Sequence, residues 1–163
     1  MLNPDILIDE LRTNPALPFP PYRYVPGRSP HPFRHKGGHN NSEQTLELLA
    51  QHPAQEQRLF LYGLELLNAY FFWEAHEILE FLWLRSEGED KELLQGLIKS
   101  AASLLKLHMN HIDASKNLWN SAAQLLDKKT IPNIDLEYFK TTITSIHQQQ
   151  KLDMDLHFFK ELS

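Results

Sequence analysis

From residue 42 onward, apolar side chains recur every three to four positions, which is the repeat of a helix with one buried face. The pattern predicts six helices, over residues 42–51, 55–70, 72–85, 91–109, 113–126 and 135–150. We expect Ser42, Asp113 and Asp135 to cap the first, fifth and sixth of these helices, because their side-chain oxygens can accept free backbone N–H groups of a first turn. The predicted fold class is therefore all-α, a single-domain bundle of five to six helices.

The helix predicted over 91–109 has the features of a central helix. One of its faces carries Leu94, Ile98, Ala101, Ala102, Leu105 and His108. Gly96 and the two alanines are small enough to let a neighbouring helix approach closely. Before this helix, the polar residues 86–90 interrupt the pattern, and Gly88 suits the C-terminal cap of the helix over 72–85.

The segment before the helices is rich in proline and basic residues. Seven of the ten prolines lie between residues 11 and 42, so residues 15–41 are predicted to form an extended arm with turns. Residues 11–42 hold five basic residues and no acid, whereas the rest of the chain has 21 acids and 11 bases. Opposite charge favours an arm that lies along the body, and a solvated tail is the alternative. The arm's candidate anchors are Phe19, Tyr22, Tyr24 and Phe33.

These patterns divide the chain into three parts. Residues 1–41 form an N-terminal segment with the proline-rich arm, residues 42–150 the helical bundle, and residues 151–163 a C-terminal tail. Apolar and polar side chains alternate in the tail, which predicts an extended conformation.

Length, charge and composition narrow the function classes. A chain of 163 residues suits one domain, and the absence of cysteine excludes disulfides, thiolate metal sites and cysteine nucleophiles. The first ten residues lack the basic start of a secretory signal, and charged residues interrupt the most apolar stretch, 59–84. We therefore predict a cytoplasmic protein that does not enter a membrane. A net charge of −5 argues against a large nucleic-acid surface.

One predicted helical segment, residues 71–83, concentrates the groups that could carry chemistry. Motifs for phosphate binding, serine hydrolysis and ordinary zincin chemistry do not occur in the sequence. At about 100° per residue, His76, Glu77 and Glu80 fall within one arc of this helix. Trp73 lies inside the arc and Trp83 at its edge, so the polar groups are predicted to lie among aromatic rings.

Side chains spaced in this way can converge on one ion, and the interiors of helical bundles commonly hold metals. We predict a divalent metal such as zinc, manganese or iron, or a small polar ligand, bound by His76, Glu77 and Glu80. His108 is the candidate fourth ligand; further imidazoles are available at His31, His35, His39 and His111. Gln95 could hydrogen-bond the cluster if its helix packs beside it. The most economical chemistry is metal-assisted hydrolysis, with Glu77 or Glu80 as general base.

A structural interpretation of the same residues stays open. A His/Glu set on a helix is often an ion-paired network that only fixes helix packing, and His108 can equally be a core histidine or a cation at a helix C-terminus. The protein would then be a non-catalytic scaffold that binds a partner or itself. Nucleic-acid binding by the basic arm is the least favoured alternative.

The motifs resemble those of a known helical family of bacterial and archaeal proteins, domain of unknown function 309. The resemblance is carried by Phe72-Trp73-Glu74-Ala75-His76-Glu77, then Glu80 and Trp83, then Leu94-Gln95-Gly96-Leu97-Ile98. The arm, from Pro20 to His39, looks like an extension in one branch of that family. The resemblance implies a compact all-α domain with Glu74, His76, Glu77 and Trp83 as its hallmark, Gln95 in a second motif, and no established activity. Lys99 stands where the family often has glutamine.

Overall fold

The computed structural model of this chain describes residues 19–32, 53–152 and 155–160, and all the regular secondary structure in these ranges is helical. The helices are α1 (Pro53–Asn68), α2 (Phe72–Trp83), α3 (Gly88–His108), α4 (Ile112–Leu125) and α5 (Leu136–Gln149). Each lies within three residues of a predicted helix at both ends. The all-α fold class is therefore confirmed, while the helix predicted over 42–51 lies outside the described residues.

Three of the predicted helix caps lie within the described residues, and one of them is observed. Asp135 caps α5, since its Oδ1 accepts from the backbone N–H of Tyr138 at 2.9 Å. Asp113 is not a cap, because α4 begins one residue earlier, after a reversal at Asn110 with φ 63°. Gly88 does have a left-handed φ of 58°, but it stands at the start of α3 and not at the end of α2.

The core is formed by successive packing of neighbouring helices. α1 packs on α2, α2 on α3 and α3 on α4. Because α3 touches helices on two sides, its buried side chains spread over a wider arc than the predicted face. The buried side chains are Leu93, Leu94, Leu97, Ser100, Ala101, Ser103, Leu104 and Leu107, while Ile98, Ala102, Leu105 and His108 are only half-buried.

Gly96 marks the closest approach to α3. A Cβ at this position would lie 2.6 Å from Leu126 Cδ2 and 2.7 Å from Leu126 Cγ, too close for two carbon atoms. The missing side chain therefore lets the end of α4 lie directly on α3, as the sequence predicted for a small residue at this position.

The C-terminal segment is non-helical where it is described, and its aromatic side chains join the core. Phe158 is fully buried, and Phe159 is nearly so. The side-chain carbonyl of Asn68 accepts the backbone N–H groups of both, at 2.7 and 3.0 Å. The ring of Phe158 meets those of Tyr70 and Phe72 edge-on. Residues 155–160 thus cover the end of α1.

Residues 19–32 of the arm lie on the helical body. Arg23 Nε donates to the carbonyl of Ala69 at 2.8 Å, and its guanidinium lies 4.9 Å from the centre of the Phe71 ring. Phe19 stacks on Tyr62 and packs on Phe71. In this range the contacts agree with the predicted docking of the arm on the body. Phe33 lies outside the described residues.

Across the described ranges, no helix combines the length and the apolar character needed to cross a bilayer.

Candidate metal centre

α2 has one face in the core and one that is only partly covered. Phe72, Ala75, Ile78, Leu79 and Leu82 are buried. The half-buried face carries Trp73, His76, Glu77, Glu80 and Trp83. The helical repeat that places the first set in the core therefore presents the second set together.

His76, Glu77 and Glu80 form a compact group of possible metal ligands. One ligand atom from each lies within 4.8 Å of the other two, and His76 Nδ1 is 3.4 Å from Glu77 Oε1. In the part of the chain that the structure describes, this is the one set of three or more histidines and acids with that geometry. The side chains of His76 and Glu77 are 28% and 35% exposed, so the group borders solvent.

Two nitrogens on this face are shielded from solvent without being satisfied. Neither His76 Nδ1 nor Trp83 Nε1 has a hydrogen-bond partner among the described residues. Such groups cost free energy when they are buried and unpaired. Lys91 Nζ lies 4.7 Å above the Trp83 ring, so the start of α3 covers this end of the face.

Glu74, and not Glu77 or Glu80, is the deeply buried carboxylate of the motif. Its residue exposure is 2%, and its Oε1 accepts the backbone N–H of Tyr24 at 2.7 Å. The pKa of Tyr62 is raised to about 12, mainly by burial and further by the negative charges of Glu74 and Glu65. Glu77 and Glu80 are only half-buried, because they lie on the partly covered face of α2.

The arm approaches the polar face of α2 through aromatic contacts. Trp73 meets the ring of Tyr24 at 4.9 Å and the ring of His31 at 5.8 Å, both edge-on. Trp73 is one turn before His76, so the arm lies next to the cluster. The structure does not include His31 in the group of three; His35 and His39 lie outside the described residues, and His111 is exposed at the start of α4.

His108 is half-buried at the end of α3 and does not join the group of three. Burial lowers its pKa, and the positive charges of Arg28 and Arg23 lower it further. A cationic His108 that interacts with the helix C-terminus is thus disfavoured. The two arginines belong to the arm, which places their charge near this imidazole.

We expect Arg28→Gln to raise the pKa of His108 towards its ordinary value, because removing a positive charge makes the imidazolium less unfavourable. The change will be partial, since burial and Arg23 remain. An NMR titration of the His108 ring signals measures it. Arg85→Gln, which removes an exposed charge that does not act on His108, is the matched control. An unchanged His108 titration in Arg28→Gln contradicts the described position of the arm.

Gln95 and Lys99 lie on α3 and differ in their contacts. Lys99 Nζ donates to Ser121 Oγ of α4 at 2.6 Å. Gln95 is half-buried, and its side chain makes no hydrogen bond within the described ranges. The predicted hydrogen bond from Gln95 to the cluster is therefore not observed.

Sequence reasoning did not identify Tyr24 as the residue that meets Glu74. The sequence indicates this contact only indirectly, through a basic, aromatic arm and an acidic body. Which backbone N–H would meet which carboxylate depends on a contact across 50 residues, which local periodicity does not encode.

Comparison with known families identifies part of this fold. Residues 60–118 match the family model described as Domain of unknown function (DUF309). The match runs from α1 into α4, and the resemblance predicted from the motifs on α2 and α3 is confirmed over that range. The arm and α5 lie outside it. Comparisons with curated proteins and with solved structures found no match.

Proposed function

Since the DUF309 family model that residues 60–118 match states no activity, we propose a function from the site: His76, Glu77 and Glu80 bind a divalent metal ion. The observation that carries this proposal is the convergence of their ligand atoms within 4.8 Å on one partly open helix face. The unsatisfied, shielded Nδ1 of His76 supports it, because an ion would provide the missing interaction.

The donor set determines which ions fit. One imidazole and two carboxylates suit zinc, manganese or iron. With bonds of about 2.1 Å, two ligands of a tetrahedral ion are about 3.4 Å apart. His76 Nδ1 and Glu77 Oε1 already have this separation. Glu80 needs only a small adjustment of a half-buried side chain to complete the set.

Three protein ligands leave at least one coordination position open, which is typical of catalytic rather than structural sites. The reaction class that we propose is metal-assisted hydrolysis. Glu77 or Glu80 would then act as general base, and the aromatic rings of Trp73 and Trp83 would bound the site. His108, the fourth ligand suggested by the sequence, is not part of the group of three, and the proposal does not depend on it.

Isothermal titration with Zn²⁺ and with Mn²⁺ tests the binding step. We expect the untagged, chelator-treated wild type to bind at least one of the two ions with a stoichiometry of one. His76→Ala and Glu80→Gln are expected to weaken binding at least about tenfold, because each removes a direct ligand. His111→Ala and Glu89→Gln change an exposed histidine and an exposed acid outside the cluster and should bind as the wild type does. Absence of binding in the wild type, or wild-type affinity in His76→Ala, contradicts the proposal.

The second candidate is a non-catalytic scaffold, and the bond between Glu74 and the arm favours it. In that case, the motif holds the arm and the helices together, and the surface binds a partner or another copy of the chain. Thermal unfolding with and without saturating metal distinguishes the two candidates. A metal that binds only the folded state raises the Tm, and His76→Ala abolishes that increase. A Tm that is independent of metal in both proteins favours the scaffold.

The proposal also includes three predictions about where the protein acts and what it binds. They are a cytoplasmic location, a small-molecule ligand or self-association as the partner, and no nucleic-acid binding. A salt titration against random oligonucleotides, with affinity expected to be absent even at low ionic strength, tests the last of these.

A further inference from the structure

A cavity of about 340 Å³ opens between α4 and the C-terminal end of α5. Its walls are formed by Lys116, Trp119, Asn120, Thr144, His147, Gln148 and Gln150. The volume is that of a site for a small organic molecule. None of these residues lies on α2, so the cavity shares no residue with the candidate metal centre.

The charge of the cavity wall is positive. Lys116 is the one charged residue in it, and the other polar groups are amides, a hydroxyl and an imidazole. In the described part of the chain, Lys116 makes neither a hydrogen bond nor an ion pair. The carbonyls at the end of α5 carry a partial negative charge of about half a unit, which is smaller than the full charge of the ammonium group. The wall therefore offers an uncompensated cation.

His147 forms the inner part of the wall and is held in one tautomer. Ser103 Oγ donates to the carbonyl of Ser115 at 2.8 Å, so its hydroxyl hydrogen is already used. Its contact with His147 Nε2, also 2.8 Å, therefore has the ring nitrogen as donor. Nδ1 is left as an acceptor, and it has no hydrogen-bond partner in the described ranges.

Packing, a hydrogen bond and a lowered pKa fix the position and the charge of the His147 ring. His147 is 7% exposed, and its ring stacks on Trp119 with centroids 6.1 Å apart. Trp119 Nε1 donates to Thr144 Oγ1 at 3.3 Å. Burial lowers the pKa of His147, and the positive charge of Lys116 lowers it further, which keeps the imidazole neutral. The wall is thus preorganised, with a free cation at one position and a fixed, neutral imidazole at another.

We propose that this cavity binds a small organic anion with a carboxylate or phosphate group, whose charge pairs with Lys116. The amides of Asn120, Gln148 and Gln150 supply donors for the remaining anion oxygens.

The indole N–H signal of Trp119 in an NMR spectrum is the probe, because this group lies in the cavity wall. Inorganic phosphate and acetate are titrated separately, against sodium chloride at equal ionic strength. We expect at least one of the two anions to shift the Trp119 signal saturably. The anion that does so identifies the chemical group that the cavity recognises. Lys116→Gln should weaken that binding at least tenfold. Lys128→Gln, which removes an exposed lysine outside the cavity, should bind as the wild type does.

Asn120→Asp is the second variant. It places a negative charge in the same wall and should also weaken binding at least tenfold, so the test does not depend on Lys116→Gln remaining folded. A Trp119 signal that responds to neither anion beyond the chloride control overturns the proposal. Equal affinities in the wild type and in the folded wall variants overturn it as well.

Discussion

Phe158→Ala is expected to lower the free energy of unfolding by about 3–5 kcal/mol, the usual loss for a fully buried aromatic ring. Phe158 has no exposed surface, and its ring packs against those of Tyr70 and Phe72. The substitution removes these contacts and leaves a cavity at the end of α1. Urea unfolding followed by circular dichroism measures the loss.

His157→Ala is the matched control for Phe158→Ala. It changes the preceding, exposed residue of the same segment and should alter stability by less than about 0.5 kcal/mol. If Phe158→Ala also falls within that small range, the C-terminal segment does not occupy the core in solution, and the described packing of residues 155–160 is wrong.

Glu74→Ala should cost about 2–3 kcal/mol and release the arm. The substitution removes a buried acceptor and leaves the backbone N–H of Tyr24 without it; hydrogen bonds to charged groups contribute about 1.5–3 kcal/mol. Glu74→Gln retains a side-chain carbonyl and should lose less, about 1 kcal/mol. Urea unfolding gives the stability, and hydrogen exchange of the Tyr24 amide reports docking of the arm.

The exchange measurement separates arm release from general destabilisation. Protection of the Tyr24 amide should fall in Glu74→Ala while amides in α3 stay protected. Asp127→Ala removes an exposed acid after the end of α4 and should leave both sets unchanged. Unaltered Tyr24 protection in Glu74→Ala would mean that the arm is held by its other contacts, including the Arg23 bond to Ala69.

The elements that the sequence predicts well are those with a local cause. Helix bounds follow from a three-to-four residue repeat, and five described helices agree with it to within three residues. The convergence of His76, Glu77 and Glu80 is equally local, because one helical turn brings them together. Asp135 works as a cap for the same reason, since its partner is three residues away.

The features that were not predicted depend on contacts between distant parts of the chain. Tyr24 meets Glu74 across 50 residues, and Asn68 meets Phe158 across 90. The link from Ser103 to His147 joins α3 to α5 in the same way. His108 shares a predicted face with Leu105, yet its surroundings are set by Arg28 and Arg23 from the arm. A periodic pattern shows which face is apolar, but it does not show which partner covers that face.

The contact between Tyr24 and Glu74 also has a consequence for the order of folding. Residues 19–32 leave the ribosome before their acceptor on α2 has been made. The contact between Tyr24 and Glu74 also closes a loop of 50 residues, which costs chain entropy. α1 and α2 are adjacent in sequence and can pair with little loss of chain entropy. We therefore expect them to pair before the arm docks. We therefore expect the arm to dock late in folding, since a nascent chain that ends shortly before Glu74 lacks the carboxylate that accepts from Tyr24.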